Sequence, residues 1–410
     1  MTGISPLFLS APAMLSSLGE GILSHWQGIL GGGDSPLAET DEPFRRWGIS
    51  PKSAILGRIT AELRPFPTDV PAIHRSRNNH LLWQALQQIE GQIYGVIEKY
   101  GAARIATVIG SSTTGADENI PLFKYAAEHN DWSAVAFNQQ QQLFSAPADF
   151  IAHRYGLHGL CYGISTACTS GARALISAAR LLRAGLCDAV ICGGVDSLSP
   201  LTVSGFGALS VLSARRTNPL SANRAGINIG EGAAVFIMTK EMPERDSVAF
   251  LGYGSSSDAY HMSSPHPEGA GAIEAFERAL GSAALEGEDI GWINLHGTGT
   301  LHNDRMESIA VHKVFGPNVY CTSTKAYHGH TLGAAGALEA AMLWAAISRT
   351  YNPEGRLPPQ LWDKCADPQS APLRITDKHS RWPAGRRIAA SSSFAFGGNN
   401  TVLILGEKNA

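Results

Sequence analysis

The sequence predicts an α/β protein built by duplication, with layered sheets. Three observations carry this. Short apolar runs that close on glycine turns, such as "DAVICGGVDSL", alternate with Ala- and Leu-rich helical patterns along the chain. One plan occurs twice: "STACTSGARALISAARLL" from residue 165 is a Ser-Thr entry, a turn and an apolar helix, and "STKAYHGHTLGAAGALEAAMLWAAI" from residue 323 repeats that order. Each copy is followed by a glycine-rich turn into a continuous apolar run, "GEGAAVFIM" at 230–238 and "GGNNTVLIL" at 397–405, as strands buried on both faces require.

At 410 residues the chain exceeds one minimal core and accommodates two fused halves. The polar, proline-containing stretch at 239–247 places their boundary, giving halves 1–245 and 246–410. Hydrophobic residues at 44% and charged residues at 16% describe a dense globular chain. A net charge of −3 supplies no broad basic field and argues against nucleic acid. The six cysteines contain no Cys-x-x-Cys pair, which argues against a zinc centre or a disulfide framework and fits reduced thiols in the cytoplasm. The N-terminal apolar stretch lacks a basic leading region and carries two early prolines, unlike a signal peptide. "GALEAAMLWAAI" is too short to span a bilayer and contains Glu339, so no membrane insertion is expected. "QQQQ" at 139–142 reads as a polar helix face.

Cys168 follows the strand-like "GLCYGIS" and heads a helix, flanked by the small residues Ala167, Ser170 and Gly171. A cysteine among small residues is ordinarily a packing residue. At a strand-to-helix elbow, however, free backbone N–H groups and the helix dipole favour a thiolate and offer donors to an oxyanion. The sequence therefore predicts a nucleophile with a lowered pKa. His296 ends the buried run "INLHGTGT", and His330 is flanked by glycine in the second copy of the repeat. Duplication places His330 where it can meet Cys168 in one pocket. Two imidazoles can both donate to one carbonyl oxygen, which suits an enolate formed by loss of carbon dioxide. Lys325 and Glu339 are spaced to form a charge pair that orients His330.

These residues give the chain a specific resemblance. "ACTSGA", "HGTGT", "STKAYHGHTLGAAGALEA" and "SSFAFGGNN", in that order, together with "SSDAYHMSSPHPEGAG" at 256–271, are similar to the motifs of elongating β-ketoacyl-acyl carrier protein synthases. That resemblance implies the thiolase-like αβαβα fold. It implies that Cys168 takes an acyl chain from a carrier protein, that His296 and His330 promote malonyl decarboxylation, and that Lys325 and Glu339 support them. It further implies an oxyanion hole and gate at Phe396, pantetheine contacts at Thr298 and Thr300, and supporting acids at Asp304 and Glu307. The protein itself then needs no metal or cofactor, because the phosphopantetheine belongs to its acyl carrier protein partner.

The departures from the family pattern are Gly299, His328, Ala395, Asn399 and a shortened "RRTNPLSANRAGINIGEG" with Ala225 and Ile227. They suit a specialised polyketide or polyene pathway as well as fatty acid synthesis. The family is dimeric, so a homodimer or a heterodimer with a chain-length-factor-like subunit is expected. The alternatives are a non-catalytic subunit of that kind, against which the intact Cys168 argues, and a biosynthetic thiolase, which would carry a second cysteine where Phe396 stands. Arg215, Arg216 and Arg224 are candidates for docking an acidic carrier. Cys168→Ala is expected to abolish acylation, and His330→Ala to impair decarboxylation more than acylation.

Overall fold

A computed structural model describes residues 6–32, 35–49, 53–133, 136–242 and 248–408. The boundary expected at 245/246 lies outside the described residues. Strands Cys161–Ile164, Ile105–Gly110 and Ala189–Asp196 run parallel, and Gly232–Thr239 and Ala13–Ser16 complete this half of the sheet antiparallel. Strands Tyr320–Thr322, Trp292–Asn294, Ile388–Phe394, Asn399–Gly406 and Val248–Ser257 repeat that order and those directions. The N-terminal strand Leu7–Leu9 pairs with both Val248–Ser257 and Gly232–Thr239 and so stitches the two sets together. The duplication is as expected, whereas the stitching strand is not announced by its sequence.

Successive residues on the central strands enter different cores. Val190 and Cys192 pack with helices Ser170–Arg183 and Ala335–Ile347, while Ala189 and Ile191 pack with Arg77–Leu86 and Ala146–Tyr155. In the other half Leu403 and Leu405 face the central helices, and Val402 and Ile404 face Ala270–Ala283 and Leu301–Phe315. The result is helix, sheet, helix, sheet, helix. Burial on both faces is why the strands read as unbroken apolar runs.

Helix Ala335–Ile347 is buried over its whole length and so carries no polar stripe. It packs on Ser170–Arg183 through two glycines. A Cβ on Gly171 would lie 2.9 Å from the Ala337 backbone nitrogen, and one on Gly336 would lie 2.7 Å from the Ala172 Cβ. Both helices start just after a site residue, so their close approach draws Cys168 and His330 together. "QQQQ" forms a short helix, but Gln141 is buried and its Nε2 donates to the Ala72 and Arg75 carbonyls, so that face is not simply solvated. Among the described residues no helix is long and apolar enough to cross a membrane.

Candidate active site

Cys168 lies in the turn between strand Cys161–Ile164 and helix Ser170–Arg183. Ala167 has φ +52°, a left-handed conformation that a residue with a side chain adopts only at a cost. Local hydrogen bonds hold it there. The Thr166 N–H donates to Ser170 Oγ (2.9 Å), which donates in turn to the Ala167 carbonyl (2.6 Å). The small neighbours seen in the sequence thus serve the turn and the helix contact.

The thiol is not acidified. Burial pushes it up to about 12, and nearby Glu339 and Asp196 act in the same direction against Lys325. That corrects the expectation of a resting thiolate. A rise from 9 to about 12 corresponds to about 4 kcal/mol, whereas a helix terminus contributes about 2 kcal/mol at most. The Cys168 Sγ lies 3.0 Å from His330 Nε2, placed to donate its proton to that nitrogen.

The backbone of His330 is pinned on both sides: its N–H donates to the Asn228 carbonyl (2.7 Å), and its carbonyl accepts from Gly230 (2.9 Å). His296 is pinned by Glu307. One carboxylate oxygen accepts from the His296 N–H (2.7 Å) and from Ser392 Oγ (2.6 Å), and the other accepts from the Gly297 N–H (2.7 Å). The two imidazoles meet edge to face, with ring centres 5.3 Å apart. Burial, reinforced by the Lys325 charge, holds both well below the ordinary histidine range, so both are neutral.

One ligand-capable atom from each of Cys168, His296 and His330 lies within 4.8 Å of the other two. A soft cation takes the same donor types. Tetrahedral zinc, with bonds of about 2.3 Å to sulfur and 2.0 Å to nitrogen, separates sulfur from nitrogen by about 3.5 Å. The 3.0 Å between Cys168 Sγ and His330 Nε2 is shorter than that and within hydrogen-bonding reach.

A cavity of about 370 Å³ is lined by Cys168, His296, His330, Thr298, Thr300 and Phe396, with Phe206, Leu209, Val211 and Ile227 as an apolar wall. The other four predicted residues lie behind it. Lys325 and Glu339 form a buried ion pair, Glu307 holds the His296 turn, and Asp304 accepts from the Leu220 (2.8 Å) and Gly299 (3.2 Å) N–H groups. Burial pushes Glu307 up to about 7 and raises Asp304. Thr298 and Thr300 share a hydroxyl contact of 2.9 Å. Phe396 is 37% exposed, and its ring centre lies 5.7 Å from that of Phe206.

Sequence reasoning missed Phe206, whose apolar helix Pro200–Ala208 carries no motif, and Asp196, which sits fully buried beside the elbow. It misjudged Arg224. That side chain is 1% exposed, donates to the Ser221 and Leu301 carbonyls and pairs with Asp367 at 2.8 Å, so it braces the site and cannot dock a carrier. Arg215 and Arg216 line a separate recess of about 360 Å³ with Trp362 and Asp363. At the departure His328, the buried imidazole Nε2 lies 3.2 Å from Thr324 Oγ1.

Comparison with known proteins agrees with this geometry. The chain matches the profile described as "Beta-ketoacyl synthase, N-terminal domain" over residues 80–243 and that described as "Beta-ketoacyl synthase, C-terminal domain" over 248–356. It is 30% identical to 3-oxoacyl-[acyl-carrier-protein] synthase 2 of Coxiella burnetii over 96% of both chains. It is 37% identical to the chloroplastic 3-oxoacyl-[acyl-carrier-protein] synthase II of Arabidopsis thaliana, over 85% of this chain and 67% of that one. Among solved structures, a chain of the complex of the ketosynthase ApeO with its chain length factor ApeC, from Xenorhabdus doucetiae, superposes with a TM-score of 0.89 at 40% identity over 98% of each chain. With both profiles in chain order and a relative matched nearly end to end, the chain belongs to the β-ketoacyl synthase family.

Proposed function

We propose that the protein catalyses decarboxylative condensation of a Cys168-bound acyl chain with malonyl-acyl carrier protein, giving a 3-oxoacyl chain two carbons longer. The observation that carries this reading is the Cys168–His330 contact of 3.0 Å, with neutral His296 facing the same cavity. In acylation the sulfur attacks the carrier thioester. His330 accepts the thiol proton and returns it to the departing pantetheine sulfur, and the N–H groups of Cys168 and Phe396 hold the oxyanion. In condensation the malonyl carboxylate leaves as carbon dioxide, and its bonding pair forms an enolate whose oxygen is held by His296 and His330. The enolate carbon attacks the acyl carbonyl. Cys168 then leaves as a thiolate and takes up one proton. Lys325, through its charge, keeps the imidazoles neutral, while Thr298 and Thr300 line the pantetheine path and Phe396 gates it.

The partners in this reading are an acyl carrier protein, which brings the phosphopantetheine, and a chain-length-factor-like subunit, the arrangement named for ApeO and ApeC. The specialised polyketide or polyene reading rests on the departures at Gly299, His328, Ala395 and Asn399, and 40% identity to a chain of a ketosynthase–chain length factor complex is consistent with it. Six unpaired thiols support a reducing compartment, the cytoplasm. The test is intact-protein mass spectrometry after incubation with an acyl-carrier protein. The wild type should gain one acyl mass at Cys168 and discharge it when malonyl-carrier protein is added, with a product two carbons longer. An adduct that persists in Cys168→Ala would overturn the assignment.

A further inference from the structure

Asp196 ends strand Ala189–Asp196 and is fully buried. Its carboxylate makes no ion pair among the described residues. Five donors surround it instead. Oδ1 accepts from Ser111 Oγ (2.8 Å), the Ser112 N–H (2.7 Å), and the Thr113 N–H and Oγ1 (both 2.9 Å), and Oδ2 accepts from the Gly333 N–H (2.6 Å). An isolated buried carboxylate is costly to keep ionised, and a set of oriented donors is what compensates it.

These donors belong to the walls of the site. Gly333 follows Leu332, whose φ of +51° is as strained as the +52° of Ala167. One strained residue directly precedes Cys168 and the other stands two residues after His330. A Cβ on Gly333 would lie 2.7 Å from Asp196 Oδ2, so the turn rests directly on the carboxylate. On the other side, Ser112 Oγ lies 3.5 Å from the Ala167 carbonyl. Asp196 therefore touches the loop against the cysteine elbow and the turn behind the histidine. Glu307 holds the His296 turn in the same manner, through two backbone N–H groups.

We infer that Asp196 is a positioning residue: by gripping the Gly333 N–H it fixes the strained turn after His330 and so sets the imidazole against the Cys168 sulfur. The role rests on reading His330 as the acceptor of the thiol proton. Asparagine at 196 would keep shape and volume but turn an N–H₂ toward donors on one side, releasing either Gly333 or the 111–113 loop.

The test is the rate at which iodoacetamide alkylates Cys168, followed by mass spectrometry of the peptide that contains it, with the protein in complex with its partner subunit. No acyl substrate is involved, so failure here is distinguishable from failure of the condensing assignment. His330→Ala and Asp196→Asn should each slow alkylation about tenfold, and the double variant should be little slower than either. Loss of a neighbouring negative charge alone would speed the reaction, as would loosening of the fold. An unchanged or faster rate in Asp196→Asn, an unchanged rate in His330→Ala, or fully multiplicative losses would overturn the inference. Should Asp196→Asn fail to fold, Gly333→Ala keeps the carboxylate but displaces the turn and must give the same slowing.

Discussion

Lys325 and Glu339 form an ion pair in which the side chains are 1% and 0% exposed. Removing one partner strands a charge in the interior, so Lys325→Met should cost about 3–5 kcal/mol, whereas Lys325→Met with Glu339→Leu should recover most of it. Urea unfolding of the single and double variants checks this. The double variant should still be impaired, because the ammonium helps to depress both His296 and His330. Without it the imidazoles protonate more easily, and the acid limb of the pH–rate profile should move to higher pH.

The histidines should separate by half-reaction. His330 Nε2 touches the sulfur, so His330→Ala should slow self-acylation as well as decarboxylation. His296 stands across the pocket, so His296→Ala should spare acylation and lower decarboxylation by about 10²- to 10³-fold, the usual loss for one oxyanion donor. Acyl transfer scored by protein mass and carbon dioxide release scored separately distinguish the two. Equal loss of both steps in His296→Ala would contradict this assignment.

The site was largely legible because its chemistry lies in short turns of small residues at the ends of strands and helices. His296 stands in such a turn, Cys168 at a strand-to-helix elbow of small residues and His330 directly after Gly329, and the repeat brings two of them together. The thiol's acidity was misread because the sequence displays a helix terminus but not the depth of burial that overrides it. Arg224 was misread because its partner Asp367 is distant along the chain, so the residue looked like a surface cation. Asp196 stayed hidden because an acid closing an apolar strand resembles an ordinary strand end until the turn it grips is placed beside it.

Two glycine substitutions should act in opposite directions. Gly336→Ala gains helix propensity of about 1 kcal/mol, but its Cβ would meet the Ala172 Cβ at 2.7 Å and the Ala172 backbone nitrogen at 2.8 Å. Overpacking against backbone costs about 1–3 kcal/mol, so the variant should be destabilised and its Cys168–His330 contact loosened. Gly281→Ala, in helix Ala270–Ala283 with nothing within 4 Å of the new Cβ, should be stabilised by about 1 kcal/mol. Urea midpoints of the two variants measured side by side should shift with opposite signs.

Acid stability should depend on a histidine outside the active site. His25 is wholly buried, with Nδ1 2.8 Å from the Gly21 carbonyl and Nε2 2.8 Å from Ser16 Oγ, and burial lowers it from 6.5 to about 4. A lowered folded-state value means that the unfolded chain binds the extra proton between pH 6.5 and 4, so stability falls as pH falls through that window. Above 6.5 the group is neutral in both states and contributes nothing to the slope. By pH 5 the loss from this one imidazole is about 2 kcal/mol. His328, lowered to about 3 by burial, acts in the same sense. His25→Gln removes the titration while keeping a polar side chain, so its stability at pH 7 should drop modestly and then decline less steeply toward pH 5 than that of the wild type. Parallel pH profiles of the urea midpoint for the two proteins would show that His25 protonates as freely folded as unfolded.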